Sequence, residues 1–218
     1  MDLDALKERF FRLWHFSDAK QVIWNDVIAR YGEKHRFYHT LEHIGHCLTE
    51  FDIARKYLTL PRATDWAAIE HALWFHDIVY STTSSGNEEK SAEYAYRELR
   101  GMDMPVLFCD QVKRLILVTK LHLPQAPDEE VMCDIDLAIL GQPRLRFSQY
   151  EEYIKFEYGV EPHVFSAGRA KFLVGMLKRR PIFSTSLFQH AYELHARANM
   201  ALSLHQCEID VDMHENAA

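Results

Sequence analysis

Apolar residues recur every three to four positions along most of the chain, which is the period of an amphipathic helix, and no pair of alternating segments reads as strands. The first helix is predicted from about Asp2 to His15, on Leu3, Leu6, Phe10, Leu13 and Trp14. A second runs from Ser17 or Asp18 through Ile23, Val27 and Tyr31 to a stop at Gly32. Thr40 caps a third, carrying Leu41, Ile44, Leu48, Phe51 and Leu58 and ending before Pro61. Thr64 or Asp65 opens a fourth on Ile69, Ala72, Leu73 and His76, ending at His76-Asp77-Ile78-Val79-Tyr80. The polar loop Ser81 to Asn87 follows directly, a position in which loops line pockets.

Glu88 to Arg100 reads as a helix stopped by Gly101, and Pro105 starts another that reaches about His122. After the break at Leu123-Pro124-Gln125-Ala126-Pro127, Asp128 caps a helix from Glu129 to Leu140. Ser148-Gln149-Tyr150-Glu151 has the form of a capping box for a tyrosine-rich helix ending at Gly159. Two more helices are expected at Ser166 to Lys178 and Ser184 to Leu204. The pattern therefore predicts an all-α, single-domain bundle of about nine to ten helices over residues 1–207, with an acidic tail over 208–218.

Bulk properties narrow the class. A chain of 218 residues with 48% hydrophobic content can bury about 70% of its unfolded surface, enough for a sizeable core without cross-links. Net charge of -7 supplies no basic footprint, which argues against a nucleic-acid duplex as partner while leaving a nucleotide-sized anion open. Cys47, Cys109, Cys133 and Cys207 are widely spaced, form no Cys-x-x-Cys pair and sit mostly in apolar segments, as reduced thiols do. With no basic N-terminal region and no apolar run near the ~18 residues that span a bilayer, a cytoplasmic protein without a membrane partner is expected. The sequence says nothing of oligomeric state.

The candidate chemistry lies where polar residues interrupt apolar faces. His76-Asp77 closes the apolar run of the fourth helix. Upstream, His39 and His43 are four apart and share a face; downstream, Asp134 and Asp136 sit in an otherwise apolar helix. A lone histidine in such a place is most often a polar residue at the edge of a core. Here several imidazoles and carboxylates come from three helices, and that set suits a divalent cation. Asp136 is flanked at helical spacing by Met132, Cys133, Ile139 and Leu140, where an uncompensated carboxylate would be expensive; the neighbours of Asp134 are mixed.

A histidine, then a His-Asp pair, then a distant helical Asp resembles the HD-domain superfamily of metal-dependent phosphohydrolases, an all-α family. The Tyr38-His39…His43 element is similar to the Tyr-His-Asn-x-x-x-His segment of the cyclic-nucleotide phosphodiesterases within it. Further stretches resemble a small group of uncharacterised bacterial HD phosphohydrolases: Trp74 to Tyr80, Asn87 to Ala92, Thr119-Lys120-x-His122, Asp136 to Gly141 and Ala196-Arg197-x-Asn199. The resemblance implies His43, His76, Asp77 and Asp136 as metal ligands, with Asp134 as the second choice for the last. It implies His39 as proton donor, beside Asp77, in the catalytic step. The implied cofactor is a divalent ion, Mn, Mg, Co, Fe or Zn, and the implied substrate a small phosphorylated molecule such as a nucleotide.

A phosphoryl centre needs cationic clamps, and Lys120, His122 and Arg169 are the candidates; each has an ordinary reading as a solvated charge or, for His122, a helix C-terminal cap. Glu88 and Glu89 can hold a water or a second cation, or can simply be first-turn acids. The expected function is metal-dependent hydrolysis of a phosphomonoester or phosphoanhydride by an activated water. The alternative is a non-catalytic HD module that binds a nucleotide or a protein partner in a regulatory role. A ferritin-like di-iron bundle needs Glu-x-x-His on two helices, and the sequence has none.

Overall fold

The structure is a computed structural model that describes residues 1–14, 20–61 and 64–215. It is all-α: α1 (Leu3–Leu13), α2 (Lys20–Tyr31), α3 (Leu41–Tyr57), α4 (Trp66–Phe75), α5 (Asn87–Gly101), α6 (Val106–Val118), α7 (Pro127–Leu137), a 3-10 turn (Ala138–Gly141), α8 (Arg144–Tyr158), α9 (Pro162–Lys178) and α10 (Ser186–Glu215). The expected start of the second helix at Ser17 or Asp18 lies outside the described residues, as does the expected end of the first at His15. Two compact units divide the chain, Met1–Asp136 and Leu137–Ala218. Among the described residues no helix is long and apolar enough to cross a membrane.

In the first unit α4 is the central element. Ala68, Ile69, Ala72, Leu73, Trp74 and Phe75 are all fully buried, and Glu70 and His71 nearly so, so this helix is enclosed on every side and packs on α3, α5 and α6. Phe10 of α1 inserts among Trp24, Trp74 and Phe75, with ring centroids 5.4, 5.1 and 6.2 Å away. Arg9 pins α1 in place: its guanidinium donates to Glu70 at 2.6 Å, to both oxygens of Asp52 at 2.8 and 2.9 Å, and to the Leu48 carbonyl. Such a buried cation survives because every face of it is paired.

The second unit is built on α9 and α10. Asn199 of α10 donates to the carbonyls of Leu140 and Gln142 at 3.0 and 2.9 Å, which holds the 3-10 turn against the helix. Gly141 is required there, since a Cβ would fall 2.3 Å from Cβ of Tyr192. Arg197 pairs with Glu193 and donates to the carbonyls of Leu177 and Arg179, closing the end of α9.

Several boundaries differ from the expected ones: α4 ends at Phe75 and not at Tyr80, α6 at Val118 and not near His122, α7 at Leu137 with a 3-10 turn taking the chain on to Gly141, and α10 starts at Ser186 and not at Ser184. The tyrosine-rich helix starts at Arg144 behind Pro143, so Ser148 and Glu151 lie inside α8 and form no capping box. The next begins at Pro162, whose fixed φ suits the first helical position, and Ser166 instead donates its hydroxyl to Asp210. The acidic residues after Glu208 continue α10 to Glu215 in place of a separate tail.

Candidate metal centre

Three short segments of the first unit converge: the first turn of α3, the turn after α4 and the last turn of α7. Thr40 caps α3 by accepting the Glu42 N–H, which fixes His43 in the opening turn. Helix α4 stops at Phe75, and the following turn is held by Ser91, whose hydroxyl bonds both the N–H and the carbonyl of Val79. Asp136 comes from the end of α7.

Arg36 joins the first two segments. Its side chain is fully shielded from solvent, and it donates to the carbonyls of His39 (3.2 Å), Asp77 (2.6 Å) and Ile78 (3.1 Å) while pairing with Glu33 at 2.9 Å. The rings of Tyr31 and Tyr80 lie 5.2 and 5.5 Å from the guanidinium carbon. A planar fork with five donors can serve several carbonyls at once, which an ammonium cannot. No sequence motif marked this residue.

At the centre, His43 Nε2 and His76 Nε2 face each other at 3.1 Å. The Oδ2 atom of Asp77 lies 3.0 Å from His76 Nε2 and 3.5 Å from His43 Nε2; Oδ1 of Asp136 lies 3.4 and 3.3 Å from the same two atoms. Both histidines are almost fully buried, and the carboxylates have side chains 17% and 15% exposed, so the centre opens on their side. His76 Nδ1 donates to the Leu73 carbonyl at 3.0 Å, which directs the Nε2 lone pair into the cluster.

These separations test the fit of a cation directly. With bonds of about 2.1 Å, neighbouring donors are about 3.0 Å apart in an octahedron and about 3.4 Å in a tetrahedron. The observed spacings, 3.0 to 3.5 Å, are of that size. Two Nε2–H groups cannot point at one another at 3.1 Å, so the imidazole pair accommodates one shared proton or a cation. The donor set therefore fits a divalent ion. Cys47, which the sequence presented only as a buried thiol, is drawn in: one donor atom each from His43, Cys47, His76 and Asp136 lie within 4.8 Å of one another, a set that leaves out Asp77, whose carboxylate instead approaches the two imidazoles.

The other candidate residues fall in different places. His122 Nε2 contacts the second oxygen of Asp136 at 2.9 Å. Helix α6 ends at Val118, and His122 follows in a left-handed conformation with φ 49°, its backbone N–H closing the helix end on the Val118 carbonyl at 2.9 Å while its imidazole reaches Asp136. The His39 ring stacks on Tyr80, with centroids 4.1 Å apart, and lies 5.9 Å from the His43 ring. Asp134 is buried on α7, and the mutual donor group contains Asp136 in its stead.

Lys120 is ion-paired with Glu89 at the surface, while Glu88 is a half-buried first-turn acid of α5. Arg169 belongs to the second unit. There it is buried, donates to Tyr150 and Glu151, and is driven up to a very basic guanidinium as Tyr150 and Glu151 outweigh the cost of burial. That pairing accounts for its charge within α8 and α9, in place of the expected substrate clamp.

Burial opposes charge on every member of the cluster, and the neighbours overcome it. His76 is pushed well above the usual histidine value by Asp77 and Asp136, and His43 is raised by Cys47, Tyr38 and the same carboxylates. Asp77 and Asp136 are held well below the usual carboxylate range, chiefly by His76. The two carboxylates thus favour positive charge between them, whether a proton or a cation supplies it.

Comparison of the chain with family models, with curated proteins and with solved structures gives no match in any of the three. The functional reading consequently rests on the residues themselves.

Proposed function

We propose that this protein is a metal-dependent phosphohydrolase of the HD type, acting on a phosphomonoester or phosphoanhydride of a nucleotide or similar small molecule. The observation that carries the reading is the meeting of His43, His76, Asp77 and Asp136 at cation-ligand spacing, with an open side at the carboxylates.

His43, His76, Asp77 and Asp136 would hold the divalent ion. Once bound, such an ion supplies Lewis acidity: it brings the pKa of a water from about 15.7 towards 7, roughly 12 kcal/mol, far more than a general base normally contributes. His122 orients Asp136 through its outer oxygen and presents an imidazole edge beside the cluster. His39, packed against Tyr80 and close enough to Asp77 to influence its charge, would give a proton to a leaving oxygen. Lys120, with Glu89 as its present partner, can exchange that carboxylate for a substrate phosphate.

The test is a phosphate-release screen of metal-stripped protein reconstituted in turn with Mn²⁺, Mg²⁺, Co²⁺, Fe²⁺ and Zn²⁺, over mononucleotides, cyclic nucleotides, nucleoside polyphosphates and sugar phosphates. Hydrolysis that needs the ion and disappears in Asp77→Ala supports the reading. Tight metal binding without turnover of any substrate class would overturn it in favour of a regulatory nucleotide-binding module.

A further inference from the structure

Cys47 lies one helical turn after His43 on α3 and is fully buried. Residues four apart on a helix share a face, so His43 and Cys47 can reach one cation from a single rigid element. The sulfur is 3.6 Å from Nε2 and 3.7 Å from Nδ1 of His43. Around a tetrahedral ion with bonds of about 2.0–2.1 Å to nitrogen and about 2.3 Å to sulfur, the two donors stand about 3.6 Å apart. Near-equal distances to both ring nitrogens put the thiol over the imidazole face, so ligation requires the sulfur to move towards the Nε2 end of the ring.

The ordinary account of a buried cysteine is that it packs as a small hydrophobe. Cys109 fits that account, buried on α6 with its thiol against the Met104 carbonyl. Cys47 differs in what surrounds it. Its sulfur abuts a buried imidazole whose Nε2 faces a second imidazole, and it completes, with His43, His76 and Asp136, a set of four donors from α3, the turn after α4 and α7.

We propose that Cys47 ligates the ion as a further donor beside His43, His76, Asp77 and Asp136. The centre is then a mixed nitrogen, oxygen and sulfur site for a thiophilic divalent transition ion of the zinc or ferrous class. A hard, oxygen-seeking ion such as Mg²⁺ demands an octahedron of oxygens and gains nothing from sulfur, whereas thiolate selects the softer ions. The inference rests on the metal-binding half of the reading above and is independent of the phosphoryl chemistry.

Cobalt(II) reports the donor set without any substrate. Metal-stripped full-length protein is titrated anaerobically with Co²⁺; bound cobalt gives visible d–d bands, and a near-ultraviolet sulfur-to-cobalt charge-transfer band arises only when sulfur is a ligand. Wild-type protein is expected to show both. Cys47→Ser should keep the visible bands and lose the near-ultraviolet one, while Cys109→Ser, Cys133→Ser and Cys207→Ser keep both. Should Cys47→Ser and Cys47→Ala fail to fold, persistence of the band in all three other variants assigns it to Cys47 by elimination. Visible bands without the charge-transfer band in wild type would overturn this inference and leave the metal centre standing. Failure to take up cobalt at all would overturn both, and a band that survives in Cys47→Ser would overturn the assignment to this residue.

Discussion

The guanidinium of Arg36 donates to the main-chain carbonyl of Asp77 at 2.6 Å, so a residue that touches no candidate donor atom sets the position of one of them. The same group holds the carbonyl of His39, four residues before His43. Arg36→Met should therefore lower affinity for Zn²⁺ or Co²⁺ by about 10–100-fold, the usual cost of losing a group that orients a ligand. Arg36→Lys should recover little, since one ammonium cannot span three carbonyls. Chelator competition on each variant, with circular dichroism to establish folding, checks this.

Asp77 and His39 are expected to separate metal from turnover. Asp77→Ala should lose both metal and hydrolysis, because it removes a carboxylate 3.0 Å from His76 Nε2. His39→Ala should retain the ion and lower kcat by about 10²–10⁴-fold, the range for a positioned proton donor. Metal content and rate measured side by side decide it; loss of the ion from His39→Ala with retention by His43→Ala would reverse the two assignments.

His122 combines a contact to Asp136 with an unfavourable backbone. Replacing it with glycine should relieve the left-handed strain, worth roughly 1–2 kcal/mol, and raise the melting temperature of the metal-free protein, while weakening metal binding. His122→Gln keeps the strain and should lower kcat/KM at least tenfold with little change in Tm. A His122→Gly variant that melts earlier than wild type would show that the imidazole contact outweighs the strain.

His71 gives the first unit an acid-sensitive core. Its Nδ1 donates to the Ala67 carbonyl at 2.7 Å, its buried Nε2 finds no partner among the described residues, and the rings of Trp14 and Phe108 lie edge-on to it. Burial pushes its pKa down to about 4 from 6.5. Between those values the unfolded chain binds a proton that the folded chain refuses, so this contribution is complete above pH 6.5 and drains away as pH falls towards 4. It amounts to roughly 3 kcal/mol at about 1.36 kcal/mol per unit. His43 and His76, with raised values, act in the opposite sense, so the measurement must be differential. Urea midpoints at pH 7 and pH 4.5 should fall less in His71→Leu than in wild type.

The all-helical fold and the meeting of residues 43, 76, 77 and 136 were legible because each of these side chains interrupts an apolar face, and such faces point inward. Arg36 was not: an arginine in a polar stretch reads as solvated, and only the tertiary arrangement supplies the three carbonyls that bury it. Cys47 was hidden for the converse reason, since its apolar neighbours make it look like core packing. Arg169 read as a free cation because its partners Tyr150 and Glu151 sit on another helix. At α8 two local signals competed. The Ser-x-x-Glu pattern and Pro143 both mark helix starts, and Pro143 won because the Glu151 carboxylate is engaged by Arg169 and Ser203.

The donors of the centre are strung along the chain from residue 43 to residue 136, the last residue of the first unit. An ion held by them is in effect a cross-link. It cannot be gripped by a partly threaded chain, because its ligands become neighbours only after α3, α4 and α7 have docked, and closing the intervening loops is an entropy cost that folding itself has met. Loading is therefore a readout of completed assembly. An ion that binds only the finished unit adds about 2.7 kcal/mol to its stability at a hundredfold excess over the dissociation constant. Protein exposed to a chelator should accordingly melt at a lower temperature across the whole first unit and not merely loosen at the site.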